Sequence, residues 1–233
     1  MYVTARTFAP EQASYPGSLT QTVAEIERLG GVGVALPCDH RDDAAVEAVI
    51  RRVAGERGRI DVLVNNVFAL PADLTLWSQA GFWEQPISMW DDQIDVGLRS
   101  HYVASHFVAP RMIAQGCGLI VNISSSGAVR YHMNVAYGAG KAGLDKLSHD
   151  MAHQLRPHNV AVLSLWPGLV GTERILEALP ESFRSQFECE SPTFTGRAIA
   201  ALAADPDILA RSGSHVVVAD LAREYGFTDL DGS

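Results

Sequence analysis

The chain has 233 residues, 47% of them apolar, and a formal net charge of −9 at pH 7. The apolar share is large enough for a sizeable core, and the acidic balance argues against nucleic acid and anionic membrane as partners. Three widely separated cysteines, Cys38, Cys117 and Cys189, predict neither a disulfide framework nor a metal site. No apolar run approaches the roughly 18 residues of a membrane span, and the N-terminus lacks the pattern of a secretion signal, so we expect a cytoplasmic protein.

Short apolar runs alternate with longer segments of helical periodicity, which predicts repeated strand–helix units. In chain order we first expect a strand at residues 1–5, a helix at 18–29, a strand at 32–38, a helix capped by Asp42 or Asp43, and a strand at 60–64. We then expect a helix at 88–112 capped by Ser88 or Asp91, a strand at 118–123, a helix at 135–155, a strand at 160–165, a helix at 195–204 and a strand at 215–219. Residues 69–86 lack periodicity and are expected to form a long loop. The pattern predicts one α/β domain with a parallel sheet over residues 1–233.

The strongest chemical signal is a tyrosine followed four residues later by a lysine, Tyr137 and Lys141. On a helix these positions share one face. An ammonium group close to a phenol favours the phenolate, so we expect Lys141 to lower the pKa of Tyr137. Such a tyrosine can exchange a proton with a carbonyl or alcohol oxygen. The alternative is a pair of solvated surface side chains, because this spacing is common by chance.

A serine-rich turn, residues 124–127, follows the strand predicted at 118–123. Ser125 therefore lies at the carboxyl end of a parallel strand, where open α/β sheets bind ligands. Its hydroxyl could hydrogen-bond a developing oxyanion. The glycines at 138, 140 and 143 are costly inside a helix, so we expect a cofactor or a neighbouring helix to approach that backbone closely.

These motifs, in this order, resemble the short-chain dehydrogenase/reductase family. The resemblance extends over residues 2–226 and includes Cys38-Asp39, the Val-Asn-Asn of residues 64–66, the Val-Asn-Ile-Ser-Ser of residues 121–125, the Tyr-Gly-Ala-Gly-Lys of residues 137–141 and the Trp-Pro-Gly of residues 166–168. Residues 82–92, 164–168 and 220–226 are similar to the subgroup of dehydrogenase/reductase member 1. The resemblance implies an NAD(P)-dependent oxidoreductase that acts on a small carbonyl or alcohol, and a homo-oligomeric assembly.

The resemblance also implies roles for individual residues. Tyr137 resembles the acid/base, Lys141 the residue that lowers its pKa and holds the nicotinamide ribose, and Ser125 the substrate-orienting serine, with Ser124 as the alternative. The expected cofactor contacts, besides Tyr137 and Lys141, are Arg6, Asp39, His40, Asn65, Asn66, Pro167, Gly168, Val170 and Thr172. Arg6 suits a ribose 2′-phosphate, so we expect NADP rather than NAD. The resemblance also implies that the segments carrying Trp83, Trp90, Tyr131, His132 and Met133 border the active site, where such side chains favour an apolar carbonyl substrate; the alternative is that they pack in the core.

The chain departs from the family pattern at three places. Val67-Phe68 follows the Asn-Asn pair where the family has Ala-Gly, and this narrows the room near the cofactor. Gly97 stands where most members have the asparagine of a proton relay, a glycine that the subgroup shares. The third departure is that the chain opens on what resembles the family's second strand, without the first strand, glycine-rich turn and helix.

We therefore expect a Rossmann-like, doubly wound parallel sheet that lacks its first strand–helix unit. In the family order the absent strand lies between residues 2–5 and 62–64, and the absent turn binds the pyrophosphate. A mis-assigned translation start and a truncated paralogue both explain this pattern. The expected function is hydride transfer between NAD(P) and an apolar carbonyl/alcohol pair. The alternative is a non-catalytic truncated paralogue that serves as a binding or oligomerisation module.

Overall fold

The computed structural model describes residues 1–12, 17–69, 81–178 and 189–232. The chain divides into two compact units, Met1–Arg59 and Ile60–Ser233. Most of the loop expected at residues 69–86 lies outside the described residues. In the described ranges, no helix has both the length and the apolar character that crossing a bilayer requires.

The described residues of the first unit form two strands and two helices. Its elements are β1 (Tyr2–Ala5), α1 (Leu19–Arg28), β2 (Val34–Pro37) and α2 (Asp43–Arg57), with a 3₁₀ turn at Pro10–Gln12. β1 and β2 pair in parallel, with Ala5 opposite Pro37. Ser18 caps α1 by accepting from the Gln21 N–H, and Asp42 caps α2 by accepting from two backbone N–H groups. Of the two caps expected for α2, Asp42 is therefore confirmed.

The second unit carries the other strands and most of the helices. Its elements are β3 (Val62–Asn65), α3 (Ile87–Asp91), a π-helical segment (Asp92–Arg99), α4 (Ser100–Gln115), β4 (Gly118–Ile123), α5 (Val135–Leu155), β5 (Val160–Trp166), α6 (Glu173–Ala178), α7 (Pro192–Ala204), α8 (Ile208–Arg211), β6 (His215–Val217) and α9 (Val218–Tyr225). The strands form one parallel sheet in the order β3-β4-β5-β6. The expected Rossmann-like α/β architecture with parallel strands is confirmed.

Both faces of this sheet are covered, and each strand residue is assigned to a face by the two-residue period of a β-strand. On one face, residues of β4 and β5 pack against α7 and α9. These residues are Leu119, Val121, Ile123, Ala161, Leu163 and Leu165 from the strands, with Phe194, Ala198, Leu202, Val218, Leu221 and Ala222 from the helices. The intervening strand positions therefore point to the opposite face, and they include the polar residues Asn122 and Ser164.

The structure corrects two predicted elements. The helix expected at residues 88–112 begins at Ile87 after Pro86, without a side-chain cap from Ser88 or Asp91, and a π-helical segment interrupts it. The strand expected at residues 215–219 ends at Val217, and α9 begins at the next residue. The sequence does not mark the boundary between this strand and α9, because residues 216–219 are all apolar. In the structure α9 buries Val218 and Leu221, which are three residues apart.

Two expectations about the whole chain stay predictions. Among the described residues, β1 is paired with β2 and β3 with β4, so each has one hydrogen-bonded neighbour. The missing strand expected between residues 2–5 and 62–64 stays a prediction. The single domain expected over residues 1–233 is likewise untested.

Candidate active site

Two local structures hold the catalytic candidates in the second unit. β4 ends at Ile123, and Ser125 caps the 3₁₀ turn Ser126–Ala128 by accepting from the Gly127 N–H at 3.1 Å. Asn134 caps α5 by accepting from the Tyr137 N–H at 2.8 Å. The cap places Tyr137 in the first turn of α5 and Lys141 one turn later.

The structure brings Ser125, Tyr137 and Lys141 together. The Tyr137 hydroxyl donates to Ser125 Oγ at 2.7 Å. Lys141 Nζ donates to the carbonyl of Ile123 at 2.8 Å and lies 5.8 Å from the centroid of the Tyr137 ring. Ser124 is buried and donates instead to the backbone carbonyl of Lys141. Of the two serines, it is therefore Ser125 that contacts the tyrosine.

Burial dominates the electrostatics of this pair. It lowers the pKa of Lys141 from 10.5 to about 8, and the nearby charge of Asp145 opposes this change. Burial also raises the pKa of Tyr137, and the hydrogen bond to Ser125 opposes that change. The net direction for Tyr137 is therefore the opposite of the fall that was expected from Lys141. The reason is that burial has the larger effect and that the ammonium donates to Ile123 rather than to the phenol.

A neighbouring helical segment explains two of the glycines of α5. A Cβ at Gly140 would lie 3.3 Å from the backbone oxygen of Gln93, and one at Gly143 would lie 2.9 Å from the Leu98 side chain. Both neighbours belong to the π-helical segment Asp92–Arg99. Of the two explanations left open by the sequence, a close neighbouring helix therefore applies to Gly140 and Gly143.

The two asparagines expected behind the cofactor differ in exposure. Asn66 is exposed, whereas Asn65 is only 3% exposed. The Asn65 amide donates to Asn122 Oδ1 at 2.8 Å and to Ser105 Oγ at 3.1 Å. Asn122 in turn donates to Ser148 Oγ at 2.8 Å. The Asn65 side chain thus contributes to a buried polar network that joins β3, β4, α4 and α5.

The segment after β5 contacts a residue that the sequence did not single out. The Gly168 N–H donates to Glu190 Oε2 at 2.9 Å, and Val170 forms a parallel bridge with Glu190. Burial raises the pKa of the Glu190 carboxyl. Pro167 and Thr172 flank this contact, so four of the expected cofactor residues lie on one segment held by Glu190. No spacing or motif marks Glu190 in the sequence.

The remaining candidates lie in the first unit. Arg6 and Asp39 both follow the carboxyl ends of paired strands, β1 and β2, and both are exposed. Asp39 accepts from the Arg41 N–H at 3.0 Å, and His40 Nε2 is 2.9 Å from Thr4 Oγ1. The three expected residues Arg6, Asp39 and His40 therefore share one edge of this small sheet.

The donor groups of the second unit suit a nucleotide ribose better than a metal. In the described ranges, no group of three or more His, Cys, Asp or Glu side chains is arranged to hold a metal ion. The Lys141 ammonium has three N–H donors, and one of them donates to the carbonyl of Ile123. The half-buried phenol beside it can both donate and accept. These groups fit the hydroxyls of a nicotinamide ribose.

Comparison with known proteins gives consistent relatives. A family model described as short chain dehydrogenase matches residues 9–180. The human protein dehydrogenase/reductase SDR family member 1 is 43% identical over 227 residues, which cover 92% of this chain and 72% of the human protein. The 7alpha-hydroxysteroid dehydrogenase of Clostridium sardiniense is 30% identical over 168 residues, covering 72% of this chain and 63% of that enzyme.

A solved structure shows the same architecture. The crystal structure of a short-chain dehydrogenase/reductase from Burkholderia xenovorans is similar with a TM-score of 0.79 and 27% identity, covering 93% of this chain and 81% of that one. Enzymes of this family transfer hydride between a nicotinamide cofactor and a substrate. The chain therefore belongs to the short-chain dehydrogenase family and is an NAD(P)-dependent oxidoreductase of that family.

Proposed function

We propose that the protein interconverts an apolar carbonyl compound and its alcohol with NADP(H), using Tyr137 as acid/base, Ser125 to orient the substrate and Lys141 to bind the nicotinamide ribose. One observation carries this proposal. The Tyr137 hydroxyl lies 2.7 Å from Ser125 Oγ, with Lys141 one turn along the same helix. A phenol and a serine hydroxyl in contact can both hydrogen-bond one carbonyl oxygen.

Each side chain has a distinct part in the reaction. In the reductive direction, a nicotinamide cofactor held through its ribose by Lys141 would supply the hydride for the carbonyl carbon. Tyr137 gives its hydroxyl proton to the carbonyl oxygen, which becomes the alcohol oxygen. Its raised pKa keeps the phenol protonated at neutral pH, as a proton donor requires. Ser125 donates to the same oxygen as negative charge develops there. Protonated Lys141 stabilises the tyrosinate that remains.

The NADP preference is proposed from the first unit alone. Arg6 directly follows β1 and is exposed, so its guanidinium is available to an anionic group. A guanidinium binds a phosphate in a bidentate manner, whereas a ribose 2′-hydroxyl is usually held by an acid. Asp39 and His40 follow the paired strand β2 and would contact the adenosine.

The apolar substrate is proposed from side chains near the start of α5 and α3. Trp83 is 75% exposed and Tyr131 is 77% exposed, although large aromatic side chains are usually covered in a folded domain. Met133 lies just before the cap of α5 and adopts a left-handed backbone conformation with φ of 64°, which is strained for a residue with a side chain. The relative from Clostridium sardiniense is a hydroxysteroid dehydrogenase, which also favours a bulky apolar substrate.

The two adjacent serines provide a matched test of the catalytic proposal. Tyr137→Phe and Ser125→Ala should each lower kcat by at least about 100-fold. Ser124→Ala removes an equally small hydroxyl from the buried side of the same turn and should leave kcat within about threefold of the parent. Near-normal turnover of Tyr137→Phe, or equal losses at the two serines, would contradict the proposed roles. Undetectable turnover in the parent with every cofactor and carbonyl would favour the non-catalytic alternative.

Cofactor and substrate choice are tested separately. Arg6→Asp should shift the ratio of kcat/KM from NADPH towards NADH, whereas Arg51→Asp makes the same charge change on α2 and should not. Equal use of both cofactors by the parent would refute the NADP preference. A panel of para-nitrobenzaldehyde, octanal and an oxosteroid should be reduced with higher kcat/KM than reducing sugars. The reverse ranking would refute an apolar substrate.

A further inference from the structure

Two of the positions at which the sequence departs from its family are neighbours in the second unit. Gly97 lies in the π-helical segment and is buried. A Cβ at Gly97 would lie 3.8 Å from Cδ2 of the Phe68 ring and 4.0 Å from Cε2. The phenyl ring of Phe68 therefore covers the side of the helix on which residue 97 has no side chain. A longer side chain at this position would overlap the ring.

The same ring contacts both members of the catalytic pair. Its centroid lies 5.8 Å from that of the Tyr137 ring at an interplanar angle of 83°, which is an edge-to-face contact. Lys141 Nζ lies 5.1 Å from the Phe68 centroid. These distances fall in the ranges in which aromatic pairs and cation–π pairs attract. One apolar side chain thus touches the proposed acid/base and the proposed ribose-binding lysine.

The backbone on either side of Phe68 is held by two buried side chains. Gln93 Nε2 donates to the Ala69 carbonyl at 2.9 Å. His101 Nε2 is hydrogen-bonded to the Val67 carbonyl at 3.0 Å, and because a carbonyl only accepts, the nitrogen is the donor. Gln93 is 2% exposed and His101 is 1% exposed. They lie four residues before and four residues after Gly97. One side of this continuous helical region therefore holds the backbone of residues 67–69 in place.

We propose that Phe68 is a positioning residue for Tyr137 and Lys141, and that Gly97, with Gln93 and His101 beside it, forms the seat that holds it. This inference rests on the proposed function, because it assigns Phe68 to the same active site. The ring restricts rotation of the Tyr137 side chain through the edge-to-face contact. It also shields the Lys141 ammonium from water while presenting its electron-rich face to the charge.

A residue that only fills space would affect stability alone, whereas a positioning residue also affects turnover. Phe68→Leu keeps an apolar side chain but removes the ring face, and it should lower kcat for para-nitrobenzaldehyde by about tenfold with a smaller change in KM. Phe107→Leu is the matched control, because it removes a half-buried phenyl from α4 of the same unit. Its kcat should stay within about twofold of the parent even where its melting temperature falls.

The seat is tested at Gly97. Gly97→Ala adds a Cβ at ordinary contact distance from the ring and should leave kcat within about threefold. Gly97→Leu should displace the ring and lower kcat about as much as Phe68→Leu. In the double variant Phe68→Leu/Gly97→Leu the losses should not multiply, because both changes break the same contact. Multiplicative losses would show that the two positions act independently and would overturn the proposal.

A measurement that needs no turnover separates this inference from the proposed function. The chain has two lysines, Lys141 and the exposed Lys146, so their side-chain NMR signals are readily assigned. The Phe68 ring current should shift the terminal methylene protons of Lys141 upfield relative to those of Lys146, and Phe68→Leu should remove the shift. An unshifted Lys141 signal, or normal kcat in Phe68→Leu when Tyr137→Phe is inactive, would overturn the role of Phe68 alone. Normal kcat in Tyr137→Phe would instead overturn the proposed function.

Discussion

Replacing Lys141 by methionine should make the resting protein more stable at neutral pH, although it removes a residue proposed for catalysis. Lys141 is 8% exposed, and burial lowers its pKa from 10.5 to about 8. At neutral pH the folded protein therefore holds an ammonium in surroundings that disfavour its charge. Methionine has a similar length and no charge, so it removes this penalty while filling the same space.

The direction of the pH dependence follows from the two pKa values. Between about pH 8 and pH 10.5, the unfolded chain binds the lysine proton and the folded protein does not, so the free energy of unfolding rises with pH in this window. Below about pH 8 both states are protonated and the full penalty is present. The difference between 10.5 and about 8 corresponds to about 3 kcal/mol. Loss of the hydrogen bond to Ile123 offsets about 1 kcal/mol of this gain, which leaves about 2 kcal/mol at pH 7.

Urea denaturation followed by tryptophan fluorescence measures this effect in the relevant unit, because all four tryptophans lie after residue 59. Lys141→Met should be more stable than the parent by about 2 kcal/mol at pH 7, and the difference should shrink as the pH rises from 8 to 10. Lys146→Met, which removes an exposed lysine paired with Asp150, should change stability by less than about 0.5 kcal/mol at every pH. The comparison with the parent removes the contribution of Tyr137, whose raised pKa acts in both proteins. The reasoning is refuted if Lys141→Met is destabilised at pH 7, or if its difference from the parent does not depend on pH.

Two further predictions concern packing. Asn122→Ala should lower the free energy of unfolding by about 2–4 kcal/mol in urea titrations. The reason is that the buried amide of Asn65 and the buried hydroxyl of Ser148 each lose a hydrogen-bond partner. A loss below about 1 kcal/mol would mean that this network does not stabilise the fold. Gly140→Ala should be destabilising, because its Cβ would press on a backbone oxygen at 3.3 Å, whereas Gly196→Ala in α7 meets nothing within 4 Å and should raise the melting temperature. Equal shifts for the two glycines would contradict the close approach of the helices.

Local signals allowed several elements to be predicted from the sequence. β4 and α5 have the predicted bounds, and Asp42, one of the two caps predicted for α2, caps that helix. These elements are encoded within a few residues, by a side-chain cap or by a period of apolar residues that ends at a turn. The helix α5 itself then follows from sequence, and with it the placement of Tyr137 and Lys141 on one face.

Where a signal was equally compatible with two structures, only packing decided between them. The adjacent serines at the end of β4 are identical in chemistry, and one side chain points into the core while the other meets Tyr137. The glycines of α5 predicted a close neighbour without showing whether it was a cofactor or a helix. The apolar residues 216–219 are compatible with a strand or with a helix. In the structure, residues 216–217 end β6 and residues 218–219 begin α9.

The sequence by itself determined the α/β class, most of the helices and strands, and the identity of the tyrosine and lysine that meet Ser125 at the end of β4. It did so because these features depend on residue types and spacings within single segments. The tertiary structure alone decided the surroundings of that site. Glu190 on Gly168, the phenyl ring of Phe68 on Gly97 and the effect of burial on the pKa of Lys141 all depend on residues that are distant in the chain or on exclusion of water. Contacts of this kind are made by packing of elements against one another, and no local period or cap encodes them.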